Sequence, residues 1–567
     1  MESKTKAKSD LPDLQSKRTS IPGPDGLNIA AYLDYGSEDA WNGKIVILAP
    51  RYGETKKNSL LFAYTLAANG FKVLRFDQTN HIGESDGRMD KFTLSGATND
   101  ILAVTDYLSE NFNDSEIILV ALSLSCRSGL RACALDQRIR RFVSIVGMVD
   151  MNSTLKAIYR RDYFAELSAG AELSLVDILG FQIDGKHFHD DLVSSNMKDL
   201  EGSLLDASKV AIPVLHFSAE KDRWVEKAGV AKLLSTCREA KLITLENVGH
   251  EINENKTALN IALNTTILFC LDCLDSGDAE FPIVAPPQLE LMTQNRLERT
   301  QMQKVLRFTE TESDFWNDYL GKFGVIEEAH YYVDYFKKVA ESLGTLNSGD
   351  IILDAGCGNG FYGSSILRQM LMNKEIGADR KYDVCYLGVD LTPDGLNRSY
   401  SRHTAELIEL HRSKLSENAG ISFAYSKLDF DNFNEKATGF PVADNTVSKL
   451  CCSLVISYLK DPIVFMKEIH RTLTAGGVAV VSSMKPGCDM TVLYHDYLSV
   501  DTTNNDSDKS ASELLSAAGR IKVKKDTEVY NFFSRKELEL IAFEAGFSKI
   551  QCFRSLGDQA NVIRIVK

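Results

Sequence analysis

The sequence contains no run of about 18 apolar residues, the length that a helix needs to cross a bilayer, so we expect no membrane span. The first 20 residues are charged and lack the apolar core of a secretory signal. Basic residues are in the minority, because 64 Lys and Arg stand against 78 Asp and Glu for a net charge of −14. An acidic surface repels nucleic-acid phosphates, so we expect no nucleic-acid partner.

The cysteines lack the paired framework that is typical of a secreted protein. There are 11 of them, an odd number, scattered over 567 residues. This usage predicts reduced thiols and a cytoplasmic protein. Cys270 and Cys273 form a C-x-x-C pair inside an apolar, helix-like stretch, which favours helix packing over a redox or zinc site, and we predict no metal site.

Short apolar runs alternate with helical patterns from residue 44 onward, which predicts an α/β fold with a parallel, doubly wound sheet. The pattern fades near residue 275, and a proline-rich stretch follows. A second alternating series begins at IILDAGCGNG and continues to the last residues. We therefore predict two tandem α/β domains, divided as a flexible tail over 1–20, a first domain over 21–275, a linker over 276–300 and a second domain over 301–567.

In the first domain, an apolar strand enters a helix at EIILVALSLSCRSGL, and Ser123 lies at the junction. Ala121 and Ser125, two positions away on either side, are small, as the close passage of strand and helix at a nucleophile elbow requires. The usual form of that elbow is G-x-S-x-G, from which this sequence departs. A serine that caps the following helix is the alternative interpretation.

Two polar residues further along the chain complete a candidate triad. Asp222 follows the predicted strand in PVLHFSAEKD, and His250 follows the one in KLITLENVGH. The order Ser, acid, His is that of α/β-hydrolases, and ligands bind at the carboxyl ends of strands in open α/β sheets. We predict that His250 takes the proton of Ser123 while Asp222 orients the imidazole.

An oxyanion hole requires backbone N–H groups aimed at the developing charge. Leu124, directly after the candidate nucleophile, is expected to supply one of them. The loop after the strand IVILA is expected to supply the other. Since Pro50 has no N–H, Arg51 or Tyr52 is the predicted donor.

The segments LRFDQTNHIGESDGRMDKFTLS, VALSLSCRS, SAEKDRWV and VGHEINEN resemble the acyl transferases of bacterial bioluminescence, over residues 25–275. Those proteins are α/β-hydrolase thioesterases that release a long fatty acid from acyl carrier protein. The resemblance implies an acyl intermediate on Ser123, a triad completed by Asp222 and His250, and an acyl carrier protein or coenzyme A thioester as substrate. It places His81 in a structural loop.

The second domain opens on a glycine-rich loop. IILDAGCGNGFYG places Asp354, Gly356, Gly358 and Gly360 after an apolar strand, where glycines let the backbone approach a ligand closely. The next strand ends at Asp390, a placement that suits recognition of ribose hydroxyls. The loop reads D-x-G-x-G-x-G, which differs from the G-x-G-x-x-G of dinucleotide-binding folds.

This loop resembles motif I of class I S-adenosylmethionine-dependent methyltransferases. Asp429-Phe430 after a third strand, FPVADNTVSKLCCSLVISYLKDP and HRTLTAGGVAVVSS agree with that family, over residues 300–567. The resemblance implies a Rossmann-like fold, S-adenosylmethionine as cofactor, ribose hydroxyls on Asp390 and adenine against Asp429 and Phe430. The expected cofactor-binding residues are Asp354, Gly356, Cys357, Gly358, Gly360, Asp390, Leu391, Asp429 and Phe430.

The methyl acceptor is harder to identify, because much of the catalysis of methyl transfer can come from positioning. SDFWNDYLGKFGVIEEAHYYVDYF, ahead of the glycine loop, is rich in aromatic residues at helical spacing, which favours core packing over a lid. Tyr319 and His330 in this segment, and His495 later, are candidate acceptor-side residues. A base is needed for a hydroxyl acceptor, but much less for an ionised carboxylate.

Together the two domains predict a bifunctional enzyme of lipid or natural-product tailoring. The first domain would release an acyl chain from a thioester, and the second would methylate the product at its carboxylate or at a hydroxyl. Fusion supports this coupling, because it raises the effective concentration of one domain's product at the other. Two alternatives stay open: methylation of the carrier-bound chain before release, and a hydrolase-like domain that only binds an acyl chain.

Overall fold

The computed structural model describes residues 14–274, 283–305, 311–323, 329–372, 382–412, 419–433, 438–500, 505–527 and 529–567. The chain divides into two compact units, Met1–Arg307 and Phe308–Lys567. Within the described ranges, no helix is long and apolar enough to cross a membrane.

Unit 1 is built on an eight-stranded sheet with the order β1-β2-β4-β3-β5-β6-β9-β10. Its strands are β1 (Gln15–Pro22), β2 (Asn28–Tyr35), β3 (Lys44–Ala49), β4 (Lys72–Phe76), β5 (Glu116–Leu122), β6 (Ile139–Ile145), β9 (Val214–Ala219) and β10 (Ala240–Leu245), with a separate hairpin of β7 (Val176–Ile178) and β8 (Phe181–Ile183). The helices are α1 (Leu60–Ala68), α2 (Leu94–Asn111), α3 (Ser125–Leu135), α4 (Met151–Tyr159), α5 (Tyr163–Ser168), α6 (Gly185–Ser194), α7 (Leu200–Ala207), α8 (Lys227–Thr236), α9 (Lys256–Cys270) and α10 (Gln288–Val305).

The central strands of this sheet are parallel, and β2 pairs antiparallel with both β1 and β4. The runs IVILA of β3 and IILVA of β5 are buried along their length, as strands covered by helices on both faces require. Helices α4 to α7 and the β7–β8 hairpin form an insertion between β6 and β9.

The predicted flexible tail over 1–20 is corrected at its C-terminal end. Residues 1–13 lie outside the described residues, whereas Gln15–Pro22 forms β1 and pairs along its whole length with β2. The strand is polar because it lies at the edge of the sheet and most of its side chains are partly or fully exposed. Polarity alone therefore does not separate an edge strand from a loose segment.

The expected linker over 276–300 also contains ordered structure, because α10 begins at Gln288 and is part of unit 1. Arg75 on β4, which is fully buried, binds Glu298 on α10 through two hydrogen bonds of 2.6 Å. It also binds Asp34 on β2. This ion triad fastens α10 to the sheet.

Unit 2 has a seven-stranded sheet with the order β13-β12-β11-β14-β15-β17-β16. Its strands are β11 (Ile351–Ala355), β12 (Tyr382–Asp390), β13 (Ala419–Lys427), β14 (Val447–Cys452), β15 (Leu473–Met484), β16 (Lys549–Ser555) and β17 (Ala560–Val566). The helices are α11 (Glu312–Phe323), α12 (His330–Leu343), α13 (Phe361–Met372), α14 (Pro393–Arg412), α15 (Pro462–Thr472), α16 (Met490–Val500), α17 (Asn505–Asp526) and α18 (Arg535–Glu544).

The direction of the strand order in unit 2 changes between β11 and β14, which are hydrogen-bonded neighbours. The first five strands in this order are parallel, and β17 is antiparallel to both of its neighbours. A crevice forms outside the carboxyl ends of the strands at such a switch point, and ligands of open α/β sheets bind there.

Candidate active sites

Ser123 lies on the sharp turn between β5 and α3, with a φ of +54°. A positive φ is uncommon for a residue with a side chain and indicates a turn that the surrounding structure holds in place. The Ser123 N–H donates to the Ile145 carbonyl, and Ser125 binds the Pro50 carbonyl. Ser125 also accepts a 2.9 Å hydrogen bond from Gln78, so its hydroxyl is committed to the packing of the turn.

The structure brings Ser123 together with the two other predicted triad residues. Ser123 Oγ lies 2.7 Å from His250 Nε2, and His250 Nδ1 lies 2.8 Å from Asp222 Oδ2. All three side chains are buried, with Ser123 and His250 only 4% and 3% exposed. The arrangement allows Nδ1–H to donate to the carboxylate while Nε2 accepts the serine proton, which is the geometry of a general base.

The Asp222 carboxylate is held by the loop that follows β9. Its Oδ1 atom accepts a 2.8 Å hydrogen bond from the Trp224 N–H and a longer one from Val225. Burial acts to raise the pKa of Asp222, but the attraction of His250 and these hydrogen bonds outweigh it and keep the pKa below its ordinary value. The Trp224 ring packs on the His250 imidazole at 4.5 Å between centroids. Sequence reasoning missed this contact, for which no sequence signal exists.

The predicted oxyanion residues surround the turn. Leu124 is the N-cap residue directly before α3, and Arg51 and Tyr52 lie in the loop after β3. In the described part of the chain, none of their three N–H groups donates a hydrogen bond to another protein atom. The Arg51 guanidinium also binds Glu251 at 2.7 Å, which ties this loop to the residue after His250.

His81 has the structural position that was expected. Its Nε2 accepts a 3.0 Å hydrogen bond from the Gly53 N–H, and its ring packs edge-on against Tyr52. Burial lowers the pKa of His81 to about 4, so the imidazole is neutral near pH 7. The histidine therefore supports the loop that carries Arg51 and Tyr52.

In unit 2, a cleft of about 1270 Å³ including its open mouth lies at the switch point of the sheet. Of the nine expected cofactor residues, eight line it: Asp354, Gly356, Cys357, Gly358, Asp390, Leu391, Asp429 and Phe430. Gly360 is not a lining residue. Its φ is +83°, and a Cβ there would lie 2.7 Å from Ser399 Oγ and 2.9 Å from His403 Nε2, so it serves the packing of the loop.

Two glycines of the glycine-rich loop have backbone conformations that residues with side chains rarely adopt. Gly356 has a φ of +82°, and a Cβ at this position would lie 2.2 Å from the Val455 side chain. Gly358 also has a positive φ and faces Leu320 of α11. Both glycines are therefore required by the backbone conformation, and Gly356 by a close approach as well.

Carboxylates from the ends of β11 and β12 flank this loop. Asp390 accepts hydrogen bonds from the Gly358 N–H at 2.8 Å and from the N–H and hydroxyl of Thr392. Asp354 accepts a 2.6 Å hydrogen bond from the Tyr386 hydroxyl. Burial, together with the negative charge of Asp390, raises the pKa of Asp354 to about 7.

The structure separates the three acceptor-side candidates. Tyr319 lines the cleft, whereas His330 and His495 are not lining residues. The His330 side chain is 69% exposed and lies 3.4 Å from Asp496. The aromatic stripe was expected to favour core packing, yet it supplies much of the cleft wall, in Trp316, Tyr319, Tyr332 and Phe336.

The segment after β14 was part of the methyltransferase resemblance but was not assigned to the site, and its residues 453–455 and 458–460 line the cleft. Leu454 in this segment has a φ of +64°. A polar residue after a buried strand is the signal that could have found it, and Ser453 stands there in the sequence.

Comparison with protein-family models gives one match in each half of the chain. The acyl transferase model matches residues 38–297, and a methyltransferase domain model matches residues 327–551. The acyl transferase of Photobacterium phosphoreum is 27% identical over 216 residues, which are 38% of this chain and 70% of that protein. The acyl transferase of Shewanella hanedai is 27% identical over 264 residues, or 46% of this chain and 84% of that protein.

Solved structures similar to unit 1 include the α/β hydrolase GrgF from Penicillium sp. sh18, at 17% identity and a TM-score of 0.38, covering 46% of this chain and 98% of that one. Est1E from Butyrivibrio proteoclasticus, bound to ferulic acid, has 20% identity and a TM-score of 0.36, covering 45% of this chain and 99% of that one. The two family models confirm both resemblances, and the two sheets of the structure confirm the predicted tandem α/β domains. The chain therefore matches an acyl transferase family over residues 38–297 and a methyltransferase domain over residues 327–551, each match covering less than half of its length.

Proposed function

We propose that this protein is a bifunctional enzyme that releases an acyl chain from a thioester of acyl carrier protein or coenzyme A and methylates the product. The observation that carries the first activity is the continuous chain of short contacts from Ser123 through His250 to Asp222, on a turn with a positive φ. A serine that only caps a helix needs neither His250 nor Asp222 as a partner, so the geometry favours Ser123 as a nucleophile over Ser123 as a helix cap.

In the proposed first reaction, Ser123 Oγ attacks the thioester carbonyl carbon while His250 Nε2 accepts the hydroxyl proton. The Asp222 carboxylate stabilises the resulting imidazolium. The N–H groups of Leu124 and of Arg51 or Tyr52 bind the oxyanion. The carbon–sulfur bond then breaks, and His250 returns its proton to the leaving thiolate. Water attacks the acyl ester in the same way and releases a carboxylic acid.

The cleft of unit 2 fits S-adenosylmethionine. Gly356 offers backbone where a Cβ would clash. Asn359 lines the cleft, and its buried Oδ1 has no hydrogen-bond partner in the described part of the chain. Asp390 would hold the ribose hydroxyls, since its two oxygens keep lone pairs beyond their three present donors. Asp354 would face the ammonium group, and Phe430 the adenine. When bound, the cofactor supplies an electrophilic methyl group on a sulfonium.

The first experiment is mass spectrometry of the products from long-chain acyl thioesters, with and without S-adenosylmethionine. Free acid without the cofactor and a methylated product with it are expected. Free acid in both cases would support the acyl release and refute the coupling. Absence of thiol release from every chain length would refute the acyl transfer activity.

A fluorophosphonate probe separates a catalytic serine from an acyl-binding module. We expect labelling of the wild type and of Ser125→Ala, and none of Ser123→Ala. Ser125→Ala is the matched control because it removes a hydroxyl from the same turn. Labelling that persists in Ser123→Ala, or a wild type that is not labelled, would contradict the proposed nucleophile.

A further inference from the structure

Helix α11 extends along the cleft from the glycine loop toward its far end. Glu312, Trp316 and Leu320 are spaced four residues apart, so they share one face of the helix, and all three line the cleft. Leu320 marks the glycine-loop end, because its carbonyl accepts a 3.1 Å hydrogen bond from Asn359. Glu312 is two turns away, or about 12 Å along the axis. It therefore lies in the part of the cleft that the predicted cofactor residues do not form.

The Glu312 carboxylate is fixed by two donors from unit 2. Lys524 Nζ lies 2.9 Å from Oε1, and the Tyr530 hydroxyl donates to Oε2. Lys524 is itself 2% exposed and lies 4.0 Å from the Phe315 ring centroid. In contrast, the Glu312 side chain is 42% exposed and contributes to the cleft wall. Carboxylate oxygens have lone pairs for further donors, so this group can still accept a hydrogen bond from a ligand.

The walls beside Glu312 are aromatic. The Trp316 and Tyr458 rings are 4.4 Å apart, and Tyr458 packs against Tyr530 at 4.8 Å. Tyr319 and Phe336 extend this surface. Such walls favour an apolar or aromatic skeleton, whose orientation is fixed by few polar contacts.

The charges of the cleft disfavour an anionic acceptor. The lining residues with a carboxylate or ammonium side chain are Glu312, Asp354, Asp390, Asp429, Asp431 and Lys460. Lys460 lies 3.6 Å from Asp431, and Lys524 is bound to Glu312, so both cations already have carboxylate partners. A carboxylate bound beside Glu312 would face its negative charge, which disfavours the anion. A neutral hydroxyl can donate its proton to Glu312 instead.

We infer that the methyl acceptor of unit 2 is an un-ionised hydroxyl on an apolar or aromatic skeleton, and that Glu312 accepts its proton. This inference rests on the proposed methyltransferase function and selects the hydroxyl over the carboxylate. The O–H proton moves to the Glu312 carboxylate, and the oxygen forms a bond to the methyl carbon. The carbon–sulfur bond of the sulfonium breaks, and its electron pair stays on sulfur. Lys524 and Tyr530 act as positioning residues.

Calorimetric binding of two probes that share a skeleton tests the inference. The full-length protein is saturated with S-adenosylhomocysteine and titrated with 4-propylphenol or 4-propylbenzoate at pH 7, where a phenol is neutral and a benzoate is charged. The wild type is expected to bind the phenol about 10-fold more tightly. Glu312→Gln should reverse this order, because it removes the negative charge and leaves Lys524 without this partner. Methyl transfer to the phenol should fall at least 10²-fold in the variant.

Glu341→Gln, an exposed change on α12 of the same unit, is the matched control and should leave both affinities unchanged. If Glu312→Gln fails to fold, Tyr530→Phe replaces it and should weaken phenol binding about 10-fold, since it removes a donor from the carboxylate. Tighter benzoate binding by the wild type, or affinities unaffected by the variants, would overturn the inference while leaving the methyltransferase intact. Failure of S-adenosylhomocysteine to bind would overturn both.

Discussion

The buried ion triad of unit 1 gives the sharpest stability prediction. All five N–H donors of Arg75 are used, on Asp34, Glu298 and the Lys56 carbonyl. Arg75→Met removes the cation and leaves two carboxylates facing each other in a site where Arg75 and Asp34 are fully buried. Breaking a buried ion pair by removing one partner costs about 3–5 kcal/mol. That is a large share of the roughly 5–15 kcal/mol by which a domain is stable.

The assay is unfolding at pH 7.5, in urea for the free energy of unfolding and by heating for the melting temperature. Tryptophan fluorescence reports both transitions. A loss of about 3–5 kcal/mol corresponds to a melting temperature lower by about 6–20 °C for a domain of this size. The control is Arg138→Met, because Arg138 pairs with Asp106 and Asp136 at the surface, where such pairs contribute at most about 1 kcal/mol. Equal effects of the two variants would refute the reasoning.

Neutralising the carboxylates provides a second check. Asp34→Asn and Glu298→Gln, added to Arg75→Met, should recover at least half of the loss, because no buried charge then lacks a partner. Burial raises the pKa of Asp34 even with Arg75 present, so the deficit of Arg75→Met should also shrink as the pH falls and the Asp34 carboxylate takes up a proton. A deficit that is independent of pH would show that packing, and not charge, accounts for it.

Three further predictions concern the two sites and their surroundings. Asp222→Asn should lower the kcat of acyl release by about 10⁴-fold with little change in melting temperature, because the His250 imidazole loses the partner that sets its tautomer. Steady-state kinetics measure this effect, and near-normal turnover would exclude the triad. Gly356→Ala should abolish S-adenosylhomocysteine binding in calorimetry, because its Cβ would clash with Val455. Gly349 has a φ of +91° but open space around its Cβ position, so Gly349→Ala should cost only about 1–2 kcal/mol of stability. Equal effects of the two variants would refute the close approach at Gly356. Burial lowers the pKa of His81, His216 and His403 from 6.5 to about 4. As the pH falls, the three imidazoles therefore take up protons in the unfolded chain before they do so in the folded protein, and stability present above pH 6.5 is lost as the pH falls toward 4. Melting temperatures between pH 7.5 and 4.5 measure this loss, which His81→Gln should reduce and the exposed His187→Gln should not.

The sequence by itself predicted the two α/β folds, because the apolar runs of buried parallel strands and the helical patterns between them are local signals. It also selected Ser123, Asp222 and His250, and eight of its nine expected cofactor residues line the cleft of unit 2. Those residues stand at strand ends, where sheet topology brings them to one edge. These features depend on periodicity and position along the chain, which a sequence displays directly.

The tertiary structure decided what depends on contacts between distant segments. The polar Gln15–Pro22 becomes a strand because β2 offers it a partner, and α10 belongs to unit 1 because Glu298 meets Arg75, 223 residues away in the chain. Glu312 gains its place in the cleft through Lys524 and Tyr530, which lie outside the strands that flank the glycine-rich loop. Hydrogen bonds of this kind join side chains whose local sequence carries no sign of the partner, and for that reason they become visible only when the chain is folded.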